Sequence, residues 1–391
     1  MRILQVNTIV GQGSTGRIAE NIGRRLIEAG HQSYIAFGRG HGASQSTTLR
    51  IGSRLDQAWH GLMTRLLDRH GLHSGSATRV LVREIEKIRP DAVLLHNLHG
   101  YYLNFPVLME HLKQRAMPVF WTLHDCWPFT GHCAHFIGVA CDKWQSGCGQ
   151  CPALRAYPAS WHDGSRRNFR IKKAAFSGFP DLTLIAPSQW LADALTRSSL
   201  GEYPVRVIPN GVDLKSFRPG ARSQGQAIVL GVANVWSRTK GLDDFCRLRS
   251  RLPAAVRIVL IGLSSQQIAR LPIGVEGRQR TASPAELAEW YQQASVFVNP
   301  TYSDTFPTTN IEALACGTPV VSYGIGGSAE AFDEHTGRVA GPGDIDGLAN
   351  AIMELIDSDA KVLSERCRAR AEAFFNEQDR TAEYVDLLTS H

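Results

Sequence analysis

The sequence lacks any apolar run of the roughly 18 residues that a membrane-spanning helix needs. Its first residues, MRILQVNTIVGQG, have neither the charged start nor the small-residue cleavage site of a signal peptide. We therefore expect a cytoplasmic protein whose eight cysteines stay reduced. With 43% hydrophobic and 20% charged residues, the composition is that of a globular chain and excludes disorder or a disulfide-built miniprotein.

No repeat of short fixed period is present, and 391 residues exceed what one ordinary core holds, so the length predicts two domains. Short apolar runs alternate with helical patterns, which is typical of buried parallel strands and their crossover helices. The predicted strands are Ile3–Ile9, Tyr34–Phe37, Ala92–His96, Val119–Leu123, Thr183–Ala186, Ala227–Ala233, Val256–Ile261, Val296–Val298 and Pro319–Ser322.

Two such series predict an α/β fold with two doubly wound, Rossmann-like domains, residues 1–212 and 213–374. The stretch Gly211–Gly225 is the predicted linker, because it contains Pro219 and few apolar residues. A C-terminal helix near 375–391 is expected to pack back on the first domain. Since ligands bind beyond the carboxyl ends of parallel strands, we expect the site in a central cleft between two facing sheets.

Charge divides unevenly along the chain. The whole sequence carries +6, but residues 1–212 hold ten more Lys and Arg than Asp and Glu. A basic run interleaved with Phe169 and Ile171 predicts contact with an anionic acceptor or a membrane surface, and the alternative is an ordinary solvated helix. Its cations are Arg166, Arg167, Arg170, Lys172 and Lys173.

A GxGxxG segment, Gly11–Gly16, follows the first predicted strand and is typical of dinucleotide binding. The acidic residue that should end the second strand is absent, since that strand ends Phe37-Gly38-Arg39. Arg39 could instead serve the phosphate of NADP. The favoured interpretation is a glycine turn that brings backbone close to a ligand, with Gly13 contributing to donor binding.

The passage from Asp304 to Val321 reads as strand end, loop, helix and strand. Free amides at the start of its helix, near Thr308 and Thr309, favour an anion such as a diphosphate. Glu312, in the next turn, could accept two ribose hydroxyls. The alternative is a plain helix with an acid near its positive end.

This passage resembles the nucleotide-sugar site of family 4 glycosyltransferases, which have the two-domain GT-B fold. The matching residues are Glu312, Ala313, Ala315, Gly317, Pro319 and Val320. Other segments resemble that family in the expected order: Ala186–Leu191 before the hinge, Ile208–Asp213 with Asn210 at the hinge, Lys240-Gly241 at the diphosphate, and Thr122–Asp125 with the active-site histidine. Two further segments, residues 96–104 and 124–133, resemble the branch acting in colanic-acid-type exopolysaccharide assembly.

The resemblance implies retaining, metal-independent sugar transfer from a nucleoside-diphosphate sugar. Its implied catalytic residues are His124, Asp125, Arg238, Lys240 and Asp304, and its implied donor-binding residues are Asn210, Lys240, Thr308, Thr309 and Glu312. His124 would face the donor sugar, and Asp125 would orient His124 or act as base on the acceptor hydroxyl. Lys240, Arg238 and the helix amides would receive the charge of the leaving phosphate.

The chain departs from the family pattern at two positions. Asp304 stands where the family usually has Glu, and we expect it still to reach a hydroxyl of the donor sugar. Val235 stands where an Arg is common, and Arg238 is the expected substitute.

Four cysteines within 19 residues, Cys133, Cys141, Cys148 and Cys151, predict a structural zinc site. Cys126 or His135 would be an alternative ligand. Buried free thiols, or a disulfide, are the other interpretations.

The leading hypothesis is thus a glycosyltransferase acting on a lipid-linked saccharide or polysaccharide at the cytoplasmic face of the inner membrane, without a catalytic cofactor. A non-catalytic GT-B protein that binds nucleotide sugars and an NADP-dependent enzyme are the alternatives. Nucleic acid is not an expected partner, since the basic run lacks a recognisable reader fold.

Overall fold

The computed structural model describes residues 1–115, 117–221 and 225–390, so residues 222–224 of the predicted linker lie outside the described residues. The chain divides into two compact units. The first comprises Met1–Ile208 together with the chain from Thr381 onward, and the second comprises Pro209–Arg380. No helix of the described residues is long and apolar enough to cross a bilayer.

Each unit is built on one sheet whose strands all pair in parallel. The strands are β1 (Arg2–Asn7), β2 (Gln32–Phe37), β3 (Thr47–Arg50), β4 (Ala92–Leu95), β5 (Val119–Thr122), β6 (Leu182–Ala186), β7 (Val205–Val207), β8 (Ile228–Val232), β9 (Arg257–Ile261), β10 (Val275–Arg278), β11 (Val296–Asn299), β12 (Val320–Tyr323) and β13 (Gly337–Ala340). Over the described residues, the strand order is β3-β2-β1-β4-β5-β6-β7 in the first sheet and β10-β9-β8-β11-β12-β13 in the second.

Helices connect successive strands and cover the sheets. They are α1 (Gly13–Glu28), α2 (Arg54–Leu67), α3 (Gly75–Ile88), α4 (Phe105–Lys113), α5 (Ser165–Phe176), α6 (Gln189–Thr196), α7 (Leu242–Leu248), α8 (Ser265–Ile268), α9 (Pro284–Gln293), α10 (Thr308–Ala315), α11 (Ile345–Ile356), α12 (Ala360–Phe374) and α13 (Glu377–Thr389). The central strands are buried along their whole length, as AVLL of β4 and VFWT of β5 show. Helices on both faces exclude water from them, which explains the unbroken apolar runs in the sequence.

The predicted fold of two doubly wound parallel sheets is confirmed. In both sheets the strand order reverses beside the first strand, at β1–β4 and at β8–β11. Such a switch point opens a crevice at the carboxyl ends of the strands, where α/β proteins bind ligands. His96 directly follows β4, and His124 lies two residues after the end of β5. In the second sheet, α10 begins after the carboxyl end of β11.

The last helix, α13, belongs to the first unit although it ends the chain. Its residues Tyr384, Val385 and Leu388 are buried in one cluster with the sheet residues Ile3 and Phe120. The Thr122 hydroxyl, at the end of β5, donates to the Tyr384 hydroxyl at 3.3 Å. The helix therefore supports β5 two residues before His124.

Candidate functional site

His124 follows β5 and forms a chain of hydrogen bonds into the first domain. Its Nε2 lies 3.1 Å from Nδ1 of His96, and the two rings stack with their centroids 5.4 Å apart. Nε2 of His96 lies 3.0 Å from Oε1 of Gln5, whose amide nitrogen donates to the Ala19 carbonyl at 2.9 Å. Because that bond turns the Gln5 oxygen toward His96, His96 donates from Nε2 and accepts on Nδ1. His124 therefore donates from Nε2 to His96.

Burial keeps these two imidazoles neutral. It lowers the pKa of His124 to about 4 and that of His96 well below its usual range, and His124 further lowers the pKa of His96. Water cannot solvate an imidazolium there, so the neutral form prevails at neutral pH. His124 is thus held as a neutral imidazole in one tautomer at the carboxyl end of the sheet.

Asp125 is placed against His99, a partner that the sequence analysis did not give it. Its Oδ2 accepts from Nε2 of His99 at 2.6 Å, and its Oδ1 accepts from the Trp127 amide at 2.9 Å. Burial alone would raise the pKa of Asp125, but the facing His99 outweighs it and lowers that pKa to about 2. Asp125 thus orients His99, and its predicted roles toward His124 or as a base on the acceptor hydroxyl stay predictions.

The basic run forms α5, and the structure contradicts the prediction that Lys172 meets a membrane or an acceptor. Lys172 is buried, and its Nζ donates to the Trp127 carbonyl at 2.6 Å and the Thr130 carbonyl at 3.0 Å. The same Nζ lies 3.6 Å from the centroid of the Trp127 ring. Burial lowers the pKa of Lys172 to about 7. Its position four residues before the buried Phe176 places it on the inner face of the helix.

The other four cations of this run differ in what they contact. Arg167 donates to the carbonyls of Leu67 and Asp68 at 2.9 and 3.0 Å, so it holds the C-terminal end of α2. Arg166, Arg170 and Lys173 line a surface groove beside the cysteine-rich loop. These three are the cations of the run that remain open to an anionic ligand.

The four predicted zinc ligands line one cavity, and zinc binding there stays a prediction. Cys133, Cys141, Cys148 and Cys151 all border it, and all four are free thiols. Cys133 and Cys151 hydrogen-bond to each other, which raises the pKa of Cys133 and lowers that of Cys151 to about 7. Among the described residues, no group of three or more His, Cys, Asp or Glu is arranged to hold a metal ion.

The glycine loop is explained by contacts within its own domain. Gly11 and Gly13 have φ of 66° and 65°, which side chains disfavour. A Cβ on Gly11 would overlap the Ala43 carbonyl, and one on Gly13 would lie 2.9 Å from Cδ1 of Ile9. These glycines are therefore required by the turn itself, and donor binding by Gly13 stays a prediction.

In the second domain, Lys240 and Asp304 are brought together. Nζ of Lys240 donates to Oδ2 of Asp304 at 2.7 Å, and both side chains are partly exposed. The Phe306 amide donates to the other oxygen of Asp304 at 3.3 Å. Gly241, next to the lysine, has φ of 73°, and a Cβ there would overlap the Pro300 carbonyl. The loop after β8 thereby packs closely on the loop after β11.

The helix α10 begins at Thr308 with no side chain capping its first turn. Its amides near Thr308 and Thr309 keep their capacity for an anion. Oε2 of Glu312 accepts from the Tyr291 hydroxyl at 3.0 Å. Asn210 donates to the Phe306 carbonyl at 3.1 Å, which ties the hinge segment to the same loop.

The predicted donor-site residues of the second domain thus lie around one loop and helix start. Arg238 is exposed, and across the ranges that the structure describes its guanidinium has no hydrogen-bond or ion-pair partner. Val235, where the family commonly has Arg, is 70% exposed. Neither position 235 nor position 238 therefore provides a second cation held in place beside Lys240.

Sequence reasoning gave no role to several residues that order the site. Tyr291 holds Glu312, and Tyr302 and Tyr323 both donate to Oδ2 of Asp244, at 2.7 and 3.0 Å. Because a buried tyrosine hydroxyl needs a hydrogen-bond partner, the sequence could have indicated that Tyr291 bonds to a polar group. Gln5 and His96 were likewise read as strand residues, and nothing in the periodicity separates them from core positions.

Two family descriptions match the chain. Residues 15–216 match "Glycosyltransferase Family 4", and residues 226–358 match "Glycosyl transferases group 1". The first of these matches covers more than half of the chain. The protein is a glycosyltransferase with two Rossmann-like domains of the GT-B type. The chain belongs to glycosyltransferase family 4.

Several proteins are similar to it. The putative colanic acid biosynthesis glycosyl transferase WcaC of Escherichia coli K12 is 26% identical, over 98% of this chain and 96% of its own length. Sucrose-phosphate synthase from Thermosynechococcus elongatus superposes with a TM-score of 0.73 at 20% identity, covering 99% of this chain and 98% of that one. Anabaena HepE, solved in complex with UDP, gives a TM-score of 0.68 at 18% identity over the full length of both chains. HepE has also been solved with UDP-glucose. These structural likenesses show the fold.

The buried neutral histidines predict a loss of stability on mild acidification. His60, whose pKa burial lowers to about 3, joins His96 and His124 in taking up protons more readily when unfolded. Their stabilising effect is complete above about pH 6.5, the unfolded pKa, and is lost as the pH falls toward 4. Each histidine contributes a slope of up to about 1.4 kcal/mol per pH unit in the free energy of unfolding.

Chemical denaturation at several pH values between 7 and 4.5 measures this slope. We expect His60→Gln to flatten the curve, and the exposed His162→Gln to leave it unchanged. A native protein whose unfolding free energy is constant across this range would contradict the assignment of neutral buried imidazoles.

Proposed function

We propose that the protein transfers a sugar from a nucleoside-diphosphate sugar, with retention of configuration and without a metal, to a lipid-linked or polysaccharide acceptor in exopolysaccharide assembly. The observation that carries the proposal is the pairing of Lys240 with Asp304 beside the uncapped start of α10. The amides of that helix and the lysine supply positive charge, and Asp304 supplies an acceptor oxygen within the same loop.

The donor is argued from these charges. A diphosphate is favoured by helix-start amides near Thr308 and by the ammonium group of Lys240. When the phosphate takes over Lys240, Asp304 is released to accept a hydroxyl of the donor sugar. Glu312, held by Tyr291, is the acceptor for ribose hydroxyls. HepE, of the same fold, binds UDP and UDP-glucose, which supports a donor of this chemical class.

The same groups support the proposal that no metal is needed. Breaking the bond between sugar and diphosphate leaves negative charge on the phosphate, and preorganised cations and amides stabilise it without reorganising. Lys240 and the first turn of α10 are such groups, and Arg238 is exposed near the lysine to add a second charge. Retention is the outcome implied by membership of family 4.

The acceptor is argued from the first domain. His124, neutral and fixed in one tautomer, is proposed to orient the donor sugar at the reaction centre. The outward cations of α5, Arg166, Arg170 and Lys173, are proposed to bind the phosphate of a lipid-linked acceptor. The relative WcaC, named for colanic acid biosynthesis, supports exopolysaccharide assembly as the setting.

Two other functions stay as alternatives. A non-catalytic protein would bind the donor without turnover, and the exposed Val235 and unpartnered Arg238 are the observations in its favour. An NADP-dependent enzyme would use the glycine loop, but no acid follows β2 and the glycines are required by the turn. Donor binding and turnover together separate both alternatives from sugar transfer.

The first prediction concerns donor binding. Calorimetry with UDP- and GDP-sugars and NADP should show one nucleotide sugar binding, with Kd raised about ten- to a hundredfold by Lys240→Met and by Glu312→Gln, because each removes a charge-assisted hydrogen bond. Glu312→Gln keeps an oxygen for Tyr291 and so tests the charge. The exposed Lys361→Met is the matched control. Binding of NADP alone, indifferent to both substitutions, would overturn the donor site.

The second prediction concerns turnover. Transfer of labelled sugar from the donor that binds to glycolipid in a bacterial membrane preparation should fall about 100- to 10,000-fold in His124→Ala, with donor affinity retained. A chelator added to the assay should leave the rate within about twofold, because the leaving phosphate is stabilised by protein groups. The native protein binding donor with no transfer or hydrolysis would favour the non-catalytic alternative, and dependence on Mg²⁺ or Mn²⁺ would refute metal independence.

The third prediction concerns zinc, which the four thiols of the cysteine-rich loop still predict. A zinc ion would have to draw their sulphur atoms to about 2.3 Å from one centre. We expect about one zinc per purified chain by atomic emission, and none in Cys148→Ser/Cys151→Ser. A metal-free native protein in which all four thiols react with a thiol reagent after unfolding would assign the loop to free cysteines.

A further inference from the structure

The helix α2 presents its apolar side to solvent. Leu55, Trp59, Leu62 and Leu66 follow each other at spacings of four, three and four residues, so they form one stripe along the helix. All four are exposed, Leu55 by 82%, Trp59 by 56% and Leu62 by 47%. Isolated exposed apolar residues are ordinary, but a continuous stripe of large ones marks an interaction surface.

The inner side of the same helix is polar. Its buried residues are His60 and Thr64. His60 contacts the Ser74 hydroxyl through Nδ1 at 2.9 Å and accepts from the Gly71 amide through Nε2 at 2.9 Å. These hydrogen bonds fix the rotation of α2, because turning the leucines inward would strip His60 of both partners. The exposure of the stripe is therefore built into the domain.

Trp161 extends the stripe at the C-terminal end of α2. It is 73% exposed, its amide donates to the Arg65 carbonyl at 2.8 Å, and the Arg65 guanidinium lies 6.0 Å from the centroid of its ring. Two tryptophans and three leucines thus share one surface of the first domain, which we name the α2 surface: Leu55, Trp59, Leu62, Leu66 and Trp161.

The exposed cations on α2 and just after it are Arg54, Arg65 and Arg69, while the two acids of the same stretch, Asp56 and Asp68, are engaged within the domain. Asp56 caps the start of α2, accepting from the amide and hydroxyl of Ser53 at 2.8 and 2.7 Å. Asp68 is buried against His132 at 2.6 Å. The surface therefore combines apolar side chains with a positive rim.

We propose that the α2 surface binds the face of an anionic phospholipid bilayer, with its leucines and tryptophans at the level of the acyl chains and its arginines on the lipid phosphates. An amphipathic helix with Trp and Leu on one side and arginines at its edge suits this interface. The inference deepens the membrane part of the proposed function and rests on it for its purpose. It assigns bilayer contact to α2 and leaves the outward cations of α5 for the acceptor.

Charge complementarity selects the bilayer over a second copy of the chain. In a symmetric dimer through the α2 surface, each arginine rim would face the rim of the other copy without carboxylates to pair it. An anionic lipid headgroup supplies the missing negative charge at every arginine. The surplus of ten cations over residues 1–212 acts in the same direction.

Vesicle sedimentation with the full chain tests the proposal. The native protein should bind vesicles of phosphatidylcholine with about a third phosphatidylglycerol at least tenfold more tightly than vesicles of phosphatidylcholine alone. Trp59→Ser/Leu62→Ser should weaken binding to the anionic vesicles at least about tenfold. Arg54→Gln/Arg65→Gln should weaken it and reduce its dependence on salt. The control is Ile273→Ser, which removes a fully exposed isoleucine of the second domain.

Two further readouts make each outcome decisive. Brominated lipid should quench the native tryptophan fluorescence, and less so in Trp59→Phe/Trp161→Phe, which a merely unfolded variant would not mimic. Calorimetric donor binding should be unchanged in all α2 variants, so loss of vesicle binding with intact donor binding separates this proposal from the donor site. Equal vesicle binding by native protein and Trp59→Ser/Leu62→Ser would overturn it. Concentration-dependent dimers of the native protein, absent in that variant and without vesicle binding, would assign the α2 surface to a second copy instead.

Discussion

Parallel pairing of the strands is the constraint on which the rest of the structure depends. A parallel strand can return only through a crossover on a face of the sheet, so every strand end that carries chemistry meets the same edge. In the first sheet His96 and His124 follow the carboxyl ends of β4 and β5, and in the second sheet Lys240 and Asp304 follow those of β8 and β11. Residues more than 60 positions apart thereby become hydrogen-bond partners, as Lys240 and Asp304 are.

Polar groups buried behind this edge determine its chemistry. Gln5 fixes the orientation of His96, and His96 fixes the nitrogen from which His124 donates. The carboxylate of Asp125 accepts from His99 and from the Trp127 amide, which fixes its orientation. Each buried polar group is tolerated only with its hydrogen-bond partners in place, since an unpaired one costs about 1–3 kcal/mol. Gln5 therefore acts on the orientation of the His124 ring through His96, without touching it.

The sequence predicts the central part of both domains well and their edges poorly. All nine predicted strands are present, while β3, β7, β10 and β13 were missed, and these four are the outer strands of their sheets. Edge strands are short and half exposed, so they lack the unbroken apolar runs that reveal β4 and β5. The start of α10 was predicted because a helix start, an acid and a family pattern coincide between Thr308 and Val320.

The wrong prediction for Lys172 has a physical cause. The periodicity of a helix shows that its two faces differ, but it does not show which face points inward. Lys172 was predicted to face an anionic partner as part of the basic run of α5, yet two carbonyls and the Trp127 ring hold it inside. In α2 the same ambiguity is resolved the other way, since His60 and Thr64 take the inner positions and the leucines are left outside. In both cases hydrogen bonds to residues outside the helix decide which face turns inward. In α2 the polar side faces the interior, so the apolar side is left exposed and marks an interaction surface. The arginines of this helix favour an anionic partner.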